Sequence, residues 1–410
     1  MTKSFFLLII LILALGLPTY AGGSQVNLHN HKNTGMGLIG TSLNADASAT
    51  FYNPGALVTI PQTYNFMTGL SGIRNITKFH LKHPSIYQAI TDNPTWTPFY
   101  IYASARVSEN WAFGLAVNTP YGNKTDWEEG WAGRFLINEI SIYTNTVQPS
   151  VSYQITEQIS IGVGFVFALG SLDLTRNLPV QNSEGEGKLN IKGNTTGYGF
   201  NTGVFFSPND QLNLGVSYRS EISMELEDAD AIIQVPQMVE SFFPAENSVS
   251  SSFPIPANMD FGISYNLQDN LMIGLALNYV FWSSYKSLDF DFQTNTAELK
   301  DIVSPRKYSN TLIVRAGGSY KVSKNLFFRA GSYYEPSPVH ENYFSPKTPT
   351  LTNIGFTGGL SFLPIQSLSI DASLLYIFGL ERKAGFTPGN FEGYYKSNTF
   401  ISGIGISYSI

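Results

Sequence analysis

Apolar residues alternate with small or polar ones along most of the chain after Gln62, in runs of about ten residues. In residues 271–281 the odd-numbered positions are large and apolar, whereas the even-numbered ones include Gly274 and Asn278. Residues 159–169 divide in the same way. Successive side chains of a strand point to opposite faces, so each run predicts a β-strand with one apolar face. Such strands occur both in soluble sandwiches and in membrane barrels.

The connections between the runs distinguish these two folds. About fourteen runs can be counted, and short joints alternate with long ones. We therefore predict an all-β fold, a transmembrane antiparallel β-barrel of about 14 strands over residues 62–410, with its tight turns facing the periplasm. The tight turns are 108–110, 156–158, 207–210, 268–270, 323–325 and 364–367, and the long joints are 74–96, 120–140, 174–193, 228–255, 290–305, 336–349 and 381–396.

Aromatic residues support the membrane barrel. One stands on the apolar face just before each of five successive tight turns, and another closes the chain. Such a ring is the girdle expected where lipid tails meet headgroups, and a soluble sandwich gives no reason for it. The girdle consists of Tyr153, Phe206, Tyr265, Tyr320, Phe362 and Tyr408.

Residues 35–57 differ from every run after them. They are rich in Gly, Ala, Ser and Asn and follow neither a helical nor a strand period. A compact segment of small residues ahead of so many strands would fit inside the cylinder that the strands close. We therefore predict an N-terminal hatch, or plug, over residues 22–61.

The composition agrees with an exported barrel. Only 13% of the 410 residues are charged, about half the ~25% of typical soluble domains, and the net charge of −6 argues against nucleic acid as a partner. No apolar run of the mature chain reaches the roughly 20 residues of a membrane helix. Residues 5–17 are apolar, follow Lys3 and precede Thr19 and Ala21, which suit a cleavage site. Residues 1–21 are therefore predicted to be a signal peptide rather than a membrane anchor.

No catalytic motif is visible. The chain has no cysteine, no G-x-S-x-G elbow, no P-loop and no H-E-x-x-H. His29 and His31 could share a metal, but no third ligand stands nearby, so a flexible, solvated N-terminus is preferred. The remaining histidines, His80, His83 and His340, are placed in loops. We predict a protein that is not an enzyme and has no cofactor and no metal.

Basic residues fall on the small-residue face, which would line the barrel lumen. The preferred interpretation for most of them is pairing with lumenal acids or with hatch carbonyls. An arginine left over would suit a carboxylate ligand, because its planar guanidinium can bind both oxygens. Two preferred ligand-binding candidates, Arg315 and Arg329, lie roughly 13 Å apart along their strands, so one of them would be structural. The lumenal arginines are Arg106, Arg219, Arg315 and Arg329, and the acids are Glu221, Asp260 and Asp371.

The predicted loop over residues 228–253 is unusually apolar for a segment outside the membrane. An exposed apolar cluster usually marks a binding surface, and a loop folded over the barrel mouth is the equal alternative. We expect its residues Met238, Val239, Phe242 and Phe243 to contact a ligand. Its other apolar residues are Ile232, Ile233 and Val235.

Short motifs recur in a definite order along the mature chain. Residues 44–54 read NADASATFYNP, followed by TPYG at 119–122, WAGRF at 131–135, SPND at 207–210, LGVSYRS at 214–220, WSSY at 282–285 and YYEPSPV at 333–339. In this order they resemble the FadL-type outer-membrane transporters of long-chain fatty acids and other hydrophobic compounds. The resemblance implies a fourteen-stranded barrel with an N-terminal hatch that ends at Asn53 and Pro54. Two departures stand out: the family's Asn-Pro-Ala is Asn-Pro-Gly-Ala here, with Gly55 inserted, and Ile410 ends a chain of a kind that often ends in Phe.

The resemblance also implies a mechanism. Extracellular loops catch an apolar ligand, a lumenal site over the hatch receives it, the hatch shifts, and the ligand leaves sideways near a kinked third strand. Such a route keeps a hydrocarbon out of water throughout. The expected function is passive transport of hydrophobic molecules, foremost long-chain fatty acids, by a protein held in outer-membrane lipid of a Gram-negative bacterium and inserted by the barrel-assembly machinery.

Several alternatives remain open at this point. The chain could take up aromatic hydrocarbons, which make similar demands on an apolar lumen. A general polar porin would have a charged constriction and no plug. A surface binding protein would work through its loops alone. An outer-membrane lipase is disfavoured because no histidine is placed in a strand.

Overall fold

A computed structural model of the protein describes residues 25–44, 46–182 and 185–410, so the predicted signal peptide lies outside it. No helix in these ranges combines the length and the apolar character needed to cross a bilayer. Fourteen of the strands in the same ranges form a closed antiparallel barrel, in which the last strand pairs with the first. The predicted all-β membrane barrel is thereby confirmed.

The barrel strands follow one another around the wall in chain order. They are β1 (Tyr64–His80), β3 (Phe99–Arg106), β4 (Trp111–Asp126), β5 (Glu139–Gln154), β6 (Ile159–Asn182), β7 (Gly185–Asn209), β8 (Leu212–Arg219), β11 (Asn258–Gln268), β12 (Leu271–Val280), β14 (Thr311–Ser323), β15 (Leu326–Glu335), β16 (Asn353–Ile365), β17 (Leu368–Phe386) and β18 (Phe391–Ser409). The loops add β2 (Gln88–Ile90), β9 (Ile222–Gln234), β10 (Glu246–Ile255) and β13 (Asp291–Phe292).

The two ends of the barrel differ as predicted, with one correction. All six tight turns lie between consecutive strands. The joints 174–193 and 381–396, however, are largely strand, because β6 and β7, and β17 and β18, continue as hairpins beyond the barrel. The joint 228–255 is mostly the β9–β10 hairpin, closed by a 3₁₀-helix at Gln237–Phe242. Polar residues interrupt the lipid-facing pattern in these stretches, although the backbone pairing continues.

The apolar face of each strand points outward. Phe165 is 52% exposed, whereas Val166 and Ala168 beside it are fully buried. Five members of the predicted girdle are exposed on the same outer surface, namely Tyr153, Tyr265, Tyr320, Phe362 and Tyr408. Phe206, the sixth, is partly exposed. This arrangement matches a barrel whose outer surface contacts lipid.

The N-terminal segment consists of short helical pieces. We call its described residues, 25–44 and 46–61, the hatch. It contains α1 (His31–Gly35), α2 (Ala49–Tyr52) and a 3₁₀-helix (Pro54–Thr59). Asn30 accepts a hydrogen bond from Lys32 N, and Asn53 accepts one from Gly55 N, so side chains cap the first and last of these pieces. Elements this short leave no period in the sequence, and contacts with the barrel must stabilise them.

Two predictions about histidines are wrong. His29 and His31 are buried inside the barrel rather than solvated, where they lie 3.0 Å from Asn118 Nδ2 and 2.9 Å from Ser373 Oγ. His80 is the last residue of β1, not a loop residue. In the described ranges, no group of three or more acidic or histidine side chains could hold a metal ion.

Candidate functional site

The hatch contacts the barrel wall through glycines. A Cβ on Gly215 would overlap the carbonyl of Thr41, and one on Gly317 would overlap the carbonyl of Met36. Any other residue there would push the hatch backbone away from the wall. The inserted Gly55 follows the same rule, because a Cβ on it would come within 2.8 Å of a wall carbonyl. At this height the small-residue face accommodates the hatch and leaves little room for a ligand.

Three of the predicted lumenal arginines hold hatch carbonyls. Arg219 donates to Phe51 O at 2.8 Å, and its guanidinium lies 4.1 Å from the centre of the Phe51 ring. Arg315 donates to Leu38 O at 3.1 Å, and Arg106 donates to Pro61 O at 3.0 Å. These contacts agree with the structural interpretation of the three side chains. Ligand binding by any of them stays a prediction.

Arg329 has a different environment. It donates to the hydroxyl of Ser361, which in turn donates to Asp371. The register places Arg329 opposite Ser319 and so four residues from Arg315 along the wall, in agreement with the predicted offset. Arg329 is therefore bound into a polar network of the wall, and its role toward a ligand also stays a prediction.

Two of the three predicted lumenal acids lie inside the barrel, and the third does not. Asp371 is buried, and Asp260 lines a cavity of only about 40 Å³ together with Arg219 and Arg315. Glu221 is exposed, so its lumenal placement is wrong. The regular alternation of inward and outward side chains is interrupted between β8 and β9. Glu221, which follows the interruption, therefore points outward instead of inward.

One lysine connects the hatch to the wall. Lys32 Nζ lies 3.3 Å from Asp46 Oδ2 within the hatch and 3.8 Å from Asp371 Oδ2 on β17. Asp46 also accepts hydrogen bonds from Asn30 and Ser48, so the hatch carboxylate is well satisfied. The single ammonium separates two buried carboxylates, one on each partner, that would otherwise repel.

A cavity of about 190 Å³ lies on the extracellular side of the hatch. Its apolar lining includes Val26, Leu28 and Leu38 from the hatch and Tyr333 and Leu375 from the wall. Ligand sites usually enclose roughly 300–1,000 Å³, so this space is too small for a long hydrocarbon chain unless the hatch or the loops move. A larger space of about 790 Å³ opens between the hatch and the periplasmic turns.

The wall is interrupted beside the upper cavity. The pairing of β4 with β5 shifts register between Asn118 and Tyr121, and β3 pairs with β4 only as far as Asn118. Beyond that point the first hatch residues replace the missing neighbour: Val26 N donates to Pro120 O at 2.8 Å, and Gln25 bridges to Tyr121. The cavity therefore borders a weak point of the wall at β4, the third barrel strand.

The extracellular loops fold into an apolar cap above the lumen. Trp127 and Trp131 stack with their ring centres 4.2 Å apart, and Phe79, Phe344 and Tyr395 are fully buried around them. This cap separates the upper cavity from the outside.

Three cations enter this cap from separate parts of the chain. Arg306 and Lys347 are buried, and Arg176 is partly buried. Within the described residues, no nitrogen of the Arg306 guanidinium makes a hydrogen bond of good geometry, although the Tyr285 hydroxyl lies close to it, and the Nε of Arg176 has no hydrogen-bond partner. Among the ion pairs of the described residues, none involves these three cations. Burial, together with the charges of Arg306 and Arg176, holds the pKa of the Lys347 ammonium well below its usual range.

Such a cation cluster requires an explanation, because buried charges are normally paired. The aromatic rings nearby compensate only weakly, since Arg306 lies 5.7 Å from the Tyr285 ring and Lys347 5.8 Å from the Phe290 ring. An anion with two or more acceptor oxygens would satisfy the free donors. The cluster leaves no signal in the sequence, because its members lie far apart in the chain and share no local pattern.

The β9–β10 hairpin presents the predicted apolar segment in two ways. Met238 and Phe242 are 78% and 54% exposed at its tip, whereas Ile233 and Phe243 are buried in the cap. The exposed residues therefore fit a binding surface, and the buried residues fit a loop folded over the barrel mouth. The exposed part is a candidate capture surface.

A closed barrel with an apolar outer band, short turns at one end and its lumen filled by an N-terminal segment defines a plugged outer-membrane barrel. The chain belongs to the family of outer membrane protein transport proteins (OMPP1/FadL/TodX), whose model matches residues 12–409. The resemblance seen in the sequence is confirmed. The protein is a transport protein of the Gram-negative outer membrane.

Two long-chain fatty acid transport proteins match over nearly their whole length. The long-chain fatty acid transport protein of Salmonella typhi is 22% identical over 429 residues, covering 98% of this chain and 97% of its own. That of Escherichia coli K12 is 21% identical over 440 residues with the same coverage. A solved Pseudomonas aeruginosa FadL homologue superimposes with a TM-score of 0.85 at 21% identity, covering 95% of this chain and 100% of its own. The Pseudomonas putida toluene transporter TodX superimposes with a TM-score of 0.73 at 16% identity, covering 96% and 99%.

Replacing Asn53 by Ala, or Pro54 by Ala, should lower uptake while the barrel still inserts and resists heat. The Asn53 amide donates to Thr41 O at 2.9 Å in the hatch and to Val204 O at 3.0 Å in β7. Each such bond contributes about 1 kcal/mol, which is enough to loosen this end of the hatch but not to displace the whole hatch or unfold the barrel. Uptake of a radiolabelled fatty acid and heat-resistant gel mobility should be measured on the same cells. Unchanged uptake by the double variant would contradict a gating role.

Proposed function

We propose that this protein is a passive channel that takes long-chain fatty acids across the outer membrane. The observation that carries the proposal is the cation cluster of Arg176, Arg306 and Lys347 within an apolar cap. A fatty acid matches both parts, because its carboxylate would compensate the charges and its hydrocarbon chain would contact the surrounding aromatic side chains. The fatty acid transport proteins among its relatives support the same substrate class.

Aromatic hydrocarbons are the second candidate. The fold shared with a toluene transporter favours them, but an uncharged ligand would leave the cap cations uncompensated. A general porin is disfavoured because the hatch fills the lumen. Catalysis has no motif to support it. Insertion by the barrel-assembly machinery and specific contacts with outer-membrane lipid stay predictions.

The order of the sites along the barrel axis supports the following transport route. The exposed tip of the β9–β10 hairpin captures the ligand, and the cap cations bind its carboxylate. The ligand then enters the cavity over the hatch. Its exit lies sideways at β4, where the hatch residues Gln25 and Val26 close the wall.

The first test compares a fatty acid with its methyl ester. The parent protein should bind the acid at least tenfold more tightly, because a hydrogen bond to a charged group contributes about 1.5–3 kcal/mol. Arg306→Gln should remove most of this preference without lowering the unfolding temperature, since it removes an uncompensated buried charge. Isothermal titration of both ligands measures the preference.

Arg315→Gln and Arg329→Gln are the matched controls for this test. Arg315→Gln loses its bond to the Leu38 carbonyl, so it should lower the unfolding temperature and leave the acid-to-ester ratio unchanged. Loss of the ratio in either control, with Arg306→Gln unaffected, would place the headgroup in the lumen instead. Equal binding of acid and ester by the parent would point to an uncharged hydrocarbon as cargo.

Binding should also take up a proton. The pKa of Lys347 is depressed in the unliganded cap, and a bound carboxylate raises it again by favouring the charged ammonium. At a pH between the two values the ammonium gains a proton on binding, so affinity falls by up to about tenfold for each unit that the pH rises. Titrations in two buffers of different ionisation enthalpy measure the proton uptake. Lys347→Gln should abolish this proton uptake. If the variant takes up as many protons on binding as the parent, Lys347 is not the group that titrates.

The capture surface is tested at its exposed tip. Replacing Met238 and Phe242 by Ser should weaken binding at low fatty acid concentration and leave saturated uptake nearly intact, because only the apolar tip is lost. Phe243→Ala is the control: it removes a buried side chain, at a cost of about 3–5 kcal/mol, and should instead destabilise the cap. Should the isotherms of the tip variant and the parent superimpose, the hairpin is only a lid.

A further inference from the structure

A basic patch faces outward where β1 pairs with β18. Arg74 and Lys78 of β1 and Lys396 of β18 are exposed, and Lys78 stands directly opposite Lys396 in the register. Side chains in such positions have their Cβ atoms about 5 Å apart, and like charges there repel each other. No ion pair of the described residues involves any of these three cations. The acid Glu381 lies on the neighbouring strand β17, where the register places it beside Lys396, and its carboxylate is 4.0 Å from His80 Nε2.

The height of the patch follows from the register. Phe66 pairs with the girdle residue Tyr408 and marks the inner edge of the apolar band. Lys78 stands twelve residues further along β1 and Arg74 eight. At ~3.3 Å per residue and a tilt of about 40°, they lie roughly 30 Å and 20 Å above the girdle. Because the band of such barrels is about 25 Å tall, the two cations lie on either side of its outer edge.

The surface below the patch is suited to acyl chains. Leu70 and Ile404 face each other across the same strand pair and are both more than half exposed. Phe400, which pairs with Arg74, is 49% exposed. Apolar side chains thus cover the wall up to the level at which the cations begin. This order of apolar and cationic residues matches the order of chains and headgroup in a lipid.

We propose that this patch binds the phosphate groups of a phosphorylated lipid of the outer leaflet. A phosphate offers several acceptor oxygens, so it can bridge Lys78 and Lys396 and remove the repulsion between them. The Arg74 side chain can extend upward from the apolar band and bind a second phosphate or the same one through its guanidinium fork. The proposal concerns the outer surface of the barrel and is independent of the transported molecule.

The test uses the purified full-length protein in detergent, exchanged to remove bound lipid. Lipid A carrying two phosphates and the same lipid after enzymatic dephosphorylation are the probes, with inorganic phosphate as a third arm. Native mass spectrometry counts bound lipid, and thermal unfolding measures the stabilisation. The parent should bind diphosphorylated lipid A at least tenfold more tightly than the dephosphorylated form, and millimolar inorganic phosphate should not reproduce the stabilisation.

Variants separate the patch from general lipid adhesion. Lys78→Gln with Lys396→Gln should lose the preference for phosphorylated lipid. Lys192→Gln is the matched control, because this exposed lysine lies opposite Asp230 and should bind lipid like the parent. Lys78→Glu replaces the repulsion by an attraction, so it should raise the unfolding temperature without lipid and abolish the response to lipid A. Equal binding of both lipid forms by the parent, parent-like binding by the double variant, or equal stabilisation by inorganic phosphate would each overturn the proposal.

Discussion

The close approach of the hatch backbone to the barrel wall is the constraint on which the rest of the structure depends. Carbonyl groups of Met36 and Thr41 occupy space that a side chain on Gly317 or Gly215 would fill. The wall can therefore contact the hatch backbone directly, and arginines from the wall reach its carbonyls. A barrel of this width with ordinary side chains at these positions would have no room for the hatch, and without the hatch it would be open.

The charged side chains inside the barrel fall into two groups with different physical consequences. Arg219 and Arg315 are compensated by hatch carbonyls, and Lys32 is compensated by two carboxylates. Among the described residues the cations of the cap have no carboxylate partner, although buried apolar side chains surround them. Selection for stability alone would have replaced these cations by apolar residues, because apolar residues are commonly more stabilising than buried charges. Their presence is therefore better explained by a ligand than by folding.

The sequence predicts the barrel well because the barrel depends on repeated local rules. Alternation, turn spacing and the girdle identify the strands, and the parity of residues 159–169 correctly gives the outward face. The alternation rule gives the wrong face for Glu221, because the alternation is interrupted just before it. The hairpin extensions of β6 and β17 are not predicted, because polar residues interrupt their pattern. The burial of His31 depends on a contact with Ser373, more than three hundred residues away. No local pattern contains such a contact, and the same is true of the cations in the cap.

The energies of the contacts also distinguish two ways for a ligand to pass the hatch. Moving the whole hatch off the wall breaks the bonds of Arg219 and Arg315, each about 1.5–3 kcal/mol, the exposed and weaker bond of Arg106, and the glycine contacts as well. The total approaches the roughly 8 kcal/mol with which a micromolar ligand binds, so a ligand could not readily drive it. Releasing Val26 from Pro120 breaks a neutral backbone bond of about 1 kcal/mol and opens the wall beside the upper cavity. A sideways exit at β4 therefore requires far less binding energy than ejection of the hatch toward the periplasm.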